Sequence, residues 1–176
     1  GLVIKTYRDY PYTVVPQVAL GLRPWQALRA EYRCETEERK VPILQQAGFP
    51  LAQEYLDFVV SKYEPMAIMR YAVDFLTVED KIRQGVTKED ALMLIGRSAA
   101  QLKELHQVRG RSQELTHGDP YLENVRYYPD GSVRWFDFEH EHTSAGDEAK
   151  AMDGAIFVGH AFQVLRSCGH FKNKQD

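Results

Sequence analysis

Between Leu115 and His140 the chain reads LTHGDPYLENVRYYPDGSVRWFDFEH, and this stretch holds His117, Asp119, Asn124, Asp137 and Glu139 among apolar and aromatic neighbours. A carboxylate, a carboxamide and a second carboxylate, in that order, are hard oxygen donors. Mg2+ takes one or two such donors from a protein and the rest from phosphates and water, and Asn124 with Asp137 can supply them. A hydroxyl nucleophile needs a carboxylate to orient it and receive its proton, the part open to Asp119. The phosphates of a nucleoside triphosphate also need a cation. Lys5, in the strand-like LVIKTY, can provide it if a helix carboxylate fixes its ammonium. Taken singly, these aspartates read as turn or cap residues; the ordered set behind His117 is what points to chemistry. His117 itself reads as a residue that packs and hydrogen-bonds the loop.

Other elements must bring these groups together. Leu2 to Tyr7 alternates and is β-branched, as a strand should be. Residues 10–22 read as an irregular connection. From Pro24, suited to a first turn, WQALRAEYRCETEERK is dense in helix formers. Pro42 is expected to kink or restart this helix, and LQQAGFP closes it, with Gly48 as the C-terminal signal. EYLDFVV and MAIMRYAV, joined by the polar SKYE, form an antiparallel strand pair. Thr87 with Asp90 is an N-cap signal, and Leu92, Ile95, Ala99, Leu102 and Leu105 make one apolar stripe on a helix ending near His106. NVRYYPDGSVRWFDF is a hairpin about the turn PDG, which folds Asp137 back toward Asn124 and Asp119. Asp147 to Leu165 reads as a last helix, with Asp147 and Asp153 in structural parts.

The bulk properties exclude several classes. The 176 residues suit one domain, or one made of two small lobes, able to bury about two thirds of its unfolded surface. Apolar residues at 44% and charged residues at 27% are globular values rather than those of a disordered or membrane chain. A formal charge of −3 gives no basic footprint for nucleic acid. The apolar run GAIFVGHAFQVL is too short to span a bilayer. Cys34 and Cys168, without a signal peptide, read as reduced thiols of a cytoplasmic protein.

HGDPYLEN followed by FDFE resembles the catalytic loop and metal-binding motif of the protein kinase-like phosphotransferases. The likeness is closest to the branch of aminoglycoside phosphotransferases, choline kinases and lipopolysaccharide kinases, whose loop reads HGDxxxxN rather than HRDxxxxN. The resemblance runs from Lys5 to about Asp153. It implies an α+β, protein kinase-like two-lobed fold: residues 1–72 as a nucleotide-binding lobe with an antiparallel sheet and one helix, and residues 73–176 as a reduced, mainly helical lobe. It implies ATP and Mg2+ as cofactors and a hydroxyl acceptor, with Asp119 catalytic and Asn124 and Asp137 holding the metal. VIK around Lys5 resembles the strand of the phosphate-binding lysine. ETEERKVPILQQAGFP resembles the helix whose glutamate pairs with it, Glu37 with Glu38 as the alternative. AIMRYAV resembles the strand entering the adenine pocket, which puts Met69 near the adenine and the backbone of Arg70, Tyr71 and Ala72 against its edge.

The sequence departs from the family in three ways. No glycine-rich phosphate-covering loop is present, and the opening on a strand suggests that the first strands lie upstream. Glu139 stands where DFG motifs carry glycine, as a third metal-side carboxylate or a loop cap. The segment after Asp137 is short, so the acceptor stays open among a small alcohol, a sugar or lipid-linked sugar, and a protein side chain. These departures motivate an alternative, a kinase-like binding or scaffold module without turnover. A third reading takes the alternation EHEH, Glu139 to His142, as a zinc site of a hydrolase.

Overall fold

The computed structural model describes residues 2–9, 26, 29–70, 76–110 and 115–170. Among these the protein is α+β, with two small antiparallel sheets and four α-helices. The first sheet has the order β1 (Leu2–Thr6), β3 (Met66–Arg70), β2 (Tyr55–Val59), with Lys5 opposite Ala67. Helix α1 (Ala30–Gln46) packs on it through Ala30, Cys34 and Val41, which form a buried cluster with Tyr7, Tyr55, Ala67 and Met69. The second sheet is β4 (Leu76–Thr77), β5 (Val125–Tyr127) and β6 (Val133–Trp135). Helices α2 (Val78–Arg83), α3 (Lys88–Leu105) and α4 (Gly146–Ser167) surround it around a larger core in which Trp135, Phe138 and Leu122 are fully buried. Leu44 and Phe49, near the end of α1, belong to this second core. Leu51 bridges to Trp135, and the Ala52 amide donates to the Trp135 carbonyl at 3.0 Å, so the chain leaving α1 is tied to the second sheet.

The hairpin turn forms as its residues dictate. Pro129 and Asp130 fill the centre, the Gly131 amide donates to the Tyr128 carbonyl at 2.8 Å, and Gly131 takes φ 79°, open to glycine without strain. Thr87 caps α3 by accepting from the Asp90 amide. Three expectations need correction. Helix α1 runs unbroken through Pro42 rather than restarting; the carbonyl that Pro42 leaves without an amide partner belongs to the exposed Glu38, where water can take it. The buried stripe of α3 is Ala91, Leu94, Ser98, Leu102 and Leu105, while Leu92 is 47% exposed. The helix turns this way because Ser98 is satisfied inside, its hydroxyl donating to the Leu94 carbonyl and its own carbonyl accepting from the Trp135 indole at 3.2 Å. The helix expected from Pro24 starts at Ala30; residues 24, 25, 27 and 28, the irregular connection at 10–22, and the boundary between residues 72 and 73 lie outside the described residues.

The face of α1 turned to the second core is charged: Arg33, Glu37 and Lys40 are all buried on it. Lys40 donates to the carbonyls of Thr116 at 2.8 Å, His117 at 3.4 Å and His140 at 2.5 Å. Lys40→Met would leave those oxygens without their charged donor. The expected loss is roughly 2–4 kcal/mol in a urea unfolding curve, against a change within about 0.5 kcal/mol for Glu38→Ala at the exposed neighbouring position.

Candidate functional site

The site is built where β1, α1 and the segment after β6 meet. Lys5 Nζ lies 2.6 Å from Glu37 Oε2, 2.5 Å from Asp137 Oδ1 and 3.1 Å from Glu139 Oε2. Glu37, fully buried, also accepts from the hydroxyls of Tyr7 and Tyr55 and from the Phe138 amide at 3.0 Å. Burial and the Glu37 charge push both phenols well above their usual range, so both stay protonated and donate to Glu37. Arg33 Nη1 pairs with Glu139 Oε1 at 2.6 Å. Of the two glutamates left open by the sequence, Glu37 meets Lys5, while Glu38 is exposed.

The charges of this cluster do not balance. Glu37, Asp137 and Glu139 bring carboxylate oxygens within 4.8 Å of one another, against the two cations Lys5 and Arg33. Burial alone would discharge Lys5, but Asp137, Glu37 and Glu139 outweigh it and hold the ammonium well above its ordinary range. Burial also opposes ionisation of Glu139, yet Lys5, His140 and Arg33 keep it well below the carboxylate range. The surplus negative charge falls on Asp137. Its desolvation, with Glu139 and Glu37 close by, pushes the carboxyl up to about 7 in spite of Lys5. Asp137 is also the cluster's most open acid, with its side chain 28% exposed against 0% for Glu37 and 8% for Glu139. It sits at φ 65°, a left-handed conformation that aspartate tolerates better than most residues. An added cation is therefore favoured at Asp137, while Glu37 has no capacity to spare.

The loop before β5 carries the second group. Asn124 Nδ2 donates to the Asp119 carbonyl at 2.8 Å and to Asp119 Oδ2 at 3.2 Å, which fixes the orientation of that carboxylate. The Phe136 amide donates to the Asn124 carbonyl at 3.1 Å, so Asn124 and Asp137 flank the base of one hairpin. Helix α4 anchors the loop. Asp153, fully buried, accepts from the amides of His117 and Gly118 at 2.7 and 2.9 Å and from His106 Nε2 and His142 Nε2, each at 2.8 Å. Burial opposes its charge, but these donors hold Asp153 far below its usual range. Seven residues on, on the same helix, His160 Nδ1 accepts from the Leu122 amide at 3.1 Å. His117 donates from Nε2 to the Phe136 carbonyl at 2.9 Å and packs on Trp135 and Phe138 with centroids 4.7 and 4.8 Å apart. Burial, aided by the Lys40 charge and only partly opposed by Asp153, lowers its pKa to about 3.

Lys5, Glu37 and Asp137 thus converge, and Asp119 and Asn124 are paired on the adjoining loop. Met69 is 3% exposed in the first core; Arg70 is exposed, its amide donating to the Glu54 carbonyl at 2.9 Å. Tyr71 and Ala72 lie outside the described residues. In the segment EHEH, Glu139 meets Lys5, Arg33 and, at 3.3 Å, His140 Nε2, while Glu141 turns to Tyr32 and Arg39 and His142 to Asp153, so the two histidines serve different carboxylates. Sequence reasoning missed Arg33, Tyr7 and Tyr55 as members of the cluster. Tyr7 lies two residues beyond Lys5, and Arg33 one turn before Glu37, yet neither spacing marks a buried partner. Comparison with protein families finds no family model that matches this chain, and comparison with curated proteins finds no match either.

Two outcomes are expected from the loop geometry. A Cβ on Gly118, at φ 86°, would lie 2.3 Å from the His140 carbonyl oxygen, so Gly118→Ala should destabilise the fold by at least about 2 kcal/mol in urea. His117 is held neutral when folded and takes a proton when unfolded. Its contribution is therefore complete above pH 6.5, the ordinary histidine value, and is lost as pH falls from there toward 3. The expected slope is up to about 1.4 kcal/mol per pH unit, measured as unfolding midpoint against pH, and His117→Gln should flatten it.

Proposed function

We propose that this chain is an ATP- and Mg2+-dependent phosphotransferase of the protein kinase-like class that moves the γ-phosphoryl group to a hydroxyl acceptor. The observation that carries the reading is the Lys5 ammonium held at once by Glu37, 32 residues away, and Asp137, 132 residues away. The resemblance of VIK and ETEERKVPILQQAGFP implies the pair of Lys5 with Glu37, and that of FDFE implies Asp137 at the same site as a metal ligand, while Asp119 and Asn124 of HGDPYLEN are joined on the neighbouring loop. The first sheet with its single helix, followed by a mainly helical remainder, supports a small two-lobed fold of this class, divided near residues 72 and 73.

The donor set suits the metal. Asp137 is the most open acid of the cluster, with its carboxyl pushed above the usual range by burial and by its acidic neighbours, and the Asn124 carboxamide oxygen is not engaged in its bonds to Asp119. Mg2+ held by these two residues would neutralise charge on the phosphates. Lys5, 22% exposed, then turns its ammonium to phosphate oxygens, and Glu37 keeps it aimed because the two phenols and the Phe138 amide fix the carboxylate. Asp119 orients the acceptor hydroxyl and receives its proton, with its rotamer set by Asn124. The backbone from Arg70 to Ala72, beyond Met69, is the part assigned to the adenine edge. Most of the acceleration on this reading is positioning and charge complementarity rather than covalent chemistry.

Thermal unfolding with ATP tests the reading. At a hundredfold excess over Kd, binding adds about 2.7 kcal/mol, a rise of about 5–10 °C for a chain of this size. The rise should require Mg2+ and vanish in Asp137→Ala. Asp119→Asn should keep it while losing transfer by about 10²–10⁴-fold. No Mg2+-dependent rise, or unchanged transfer in Asp119→Asn, overturns the assignment; a rise without transfer in the unmodified chain identifies a binding module that has lost turnover.

A further inference from the structure

On another part of the surface an open groove of about 470 Å³ is lined by Gln45, Phe49, Leu51, Ala52, Arg70 and Arg134, with Glu54 its one acid. It contains none of Lys5, Glu37, Asp119, Asn124 or Asp137, and it shares Arg70 with the segment assigned to the adenine edge. Its volume lies in the range of small-molecule sites, and its make-up is divided: an apolar floor from Phe49, Leu51 and Ala52, and two guanidinium groups. Glu54 Oε2 lies 2.8 Å from Arg70 Nε, with both side chains more than half exposed. Arg134 is exposed on β6 between the buried Val133 and Trp135.

The hairpin concentrates positive charge at this place. Arg126 and Arg134 are direct cross-strand partners, an arrangement that like charges disfavour. Both guanidinium groups lie over the Tyr128 ring, 4.6 and 4.9 Å from its centroid. That ring relieves part of the repulsion, and the Tyr128 hydroxyl donates to the Ala52 carbonyl at 3.2 Å, which ties the pair to the groove floor. In a chain of formal charge −3, this is a local excess of cations beside a concave apolar surface, and a guanidinium is the side chain best shaped to take a planar or tetrahedral oxyanion.

We propose that this groove binds a small organic anion, a phosphate or carboxylate taken by Arg134 with Arg70 and an apolar ring or chain laid on Phe49, Leu51 and Ala52. The site is separate from the Lys5 cluster and does not depend on the phosphotransfer reading.

The test is a titration of the 15N-labelled full chain, at fixed ionic strength, with phenyl phosphate, benzoate and neutral phenol. Amide shifts are expected across residues 45–54 and at Arg70 and Arg134 with at least one of the anions and not with phenol, and the better anion identifies the group recognised. Arg134→Gln should weaken that binding by about tenfold, the equivalent of one charge-assisted hydrogen bond, and Arg134→Glu should abolish it. Arg134 is exposed, so spectra away from the groove should report an unchanged fold. Absence of shifts at the groove with both anions, equal binding of phenol, or unchanged affinity in Arg134→Gln overturns the proposal.

Discussion

The structure depends on a helix that buries its charges. Arg33, Glu37 and Lys40 follow one another at helical spacing along α1 and face inward with Cys34, Val41 and Leu44. Buried charges are tolerated only where each finds fixed partners, and here the partners come from far along the chain. Glu37 takes Lys5 and the Phe138 amide, Arg33 takes Glu139, and Lys40 takes the carbonyls of Thr116, His117 and His140. Because Lys40 donates to both the segment entering the loop and the segment leaving the hairpin, the two are held together at the point where Gly118 meets His140. Neither core forms with its full set of partners unless the other does.

The same accounting separates acids whose bonding demands are met from the one whose demand is not. Glu37 and Asp153 are both fully buried and each accepts from four donors, so neither has an unmet demand that a ligand would fill. Asp137 is different. It shares one ammonium with two other carboxylates, keeps part of its surface in water and has its carboxyl pushed above the usual carboxylate range. Glu139 resembles it in sequence position but not in circumstance, because Arg33 answers its charge. The acid with the deficit of positive charge is the one where a cation lowers the energy most.

Much of this was legible in the sequence where local rules decide. The PDG turn, the Thr87 cap and the two β segments depend on neighbours in the chain, and they form as the residues suggest. The order of Asp119, Asn124 and Asp137 also pointed to the loop and hairpin that carry them. What stayed hidden depends on distant partners. Hydropathy assigns Arg33 and Lys40 to solvent, since the carbonyls and the carboxylate that compensate them lie about a hundred residues away. The stripe of α3 differs from the apolar spacing for the same reason: a serine at position 98 carries no hydropathic signal for burial, and the Trp135 indole that bonds its carbonyl lies 37 residues away. Tyr7 and Tyr55 read as ordinary aromatic strand residues, and their hydroxyls gain meaning only from Glu37.

The hairpin from Val125 to Trp135 is where these constraints meet. At its base, pairing of Phe136 with Asn124 brings the loop and the Asp137 segment side by side, an arrangement backbone geometry enforces whatever side chains follow. Along its strands the alternation of side chains sends Val133 and Trp135 into the core and Arg134 to the outside. One short ribbon therefore faces acids at one end and presents Arg134 on its outer surface, with the Trp135 layer between. A one-residue slip in its register would exchange those faces, exposing Trp135 and burying Arg134 without a partner. The PDG turn and the bridge from Leu51 to Trp135 guard against that slip, so the residues that fix the hairpin's register also fix the separation of its two charged surfaces.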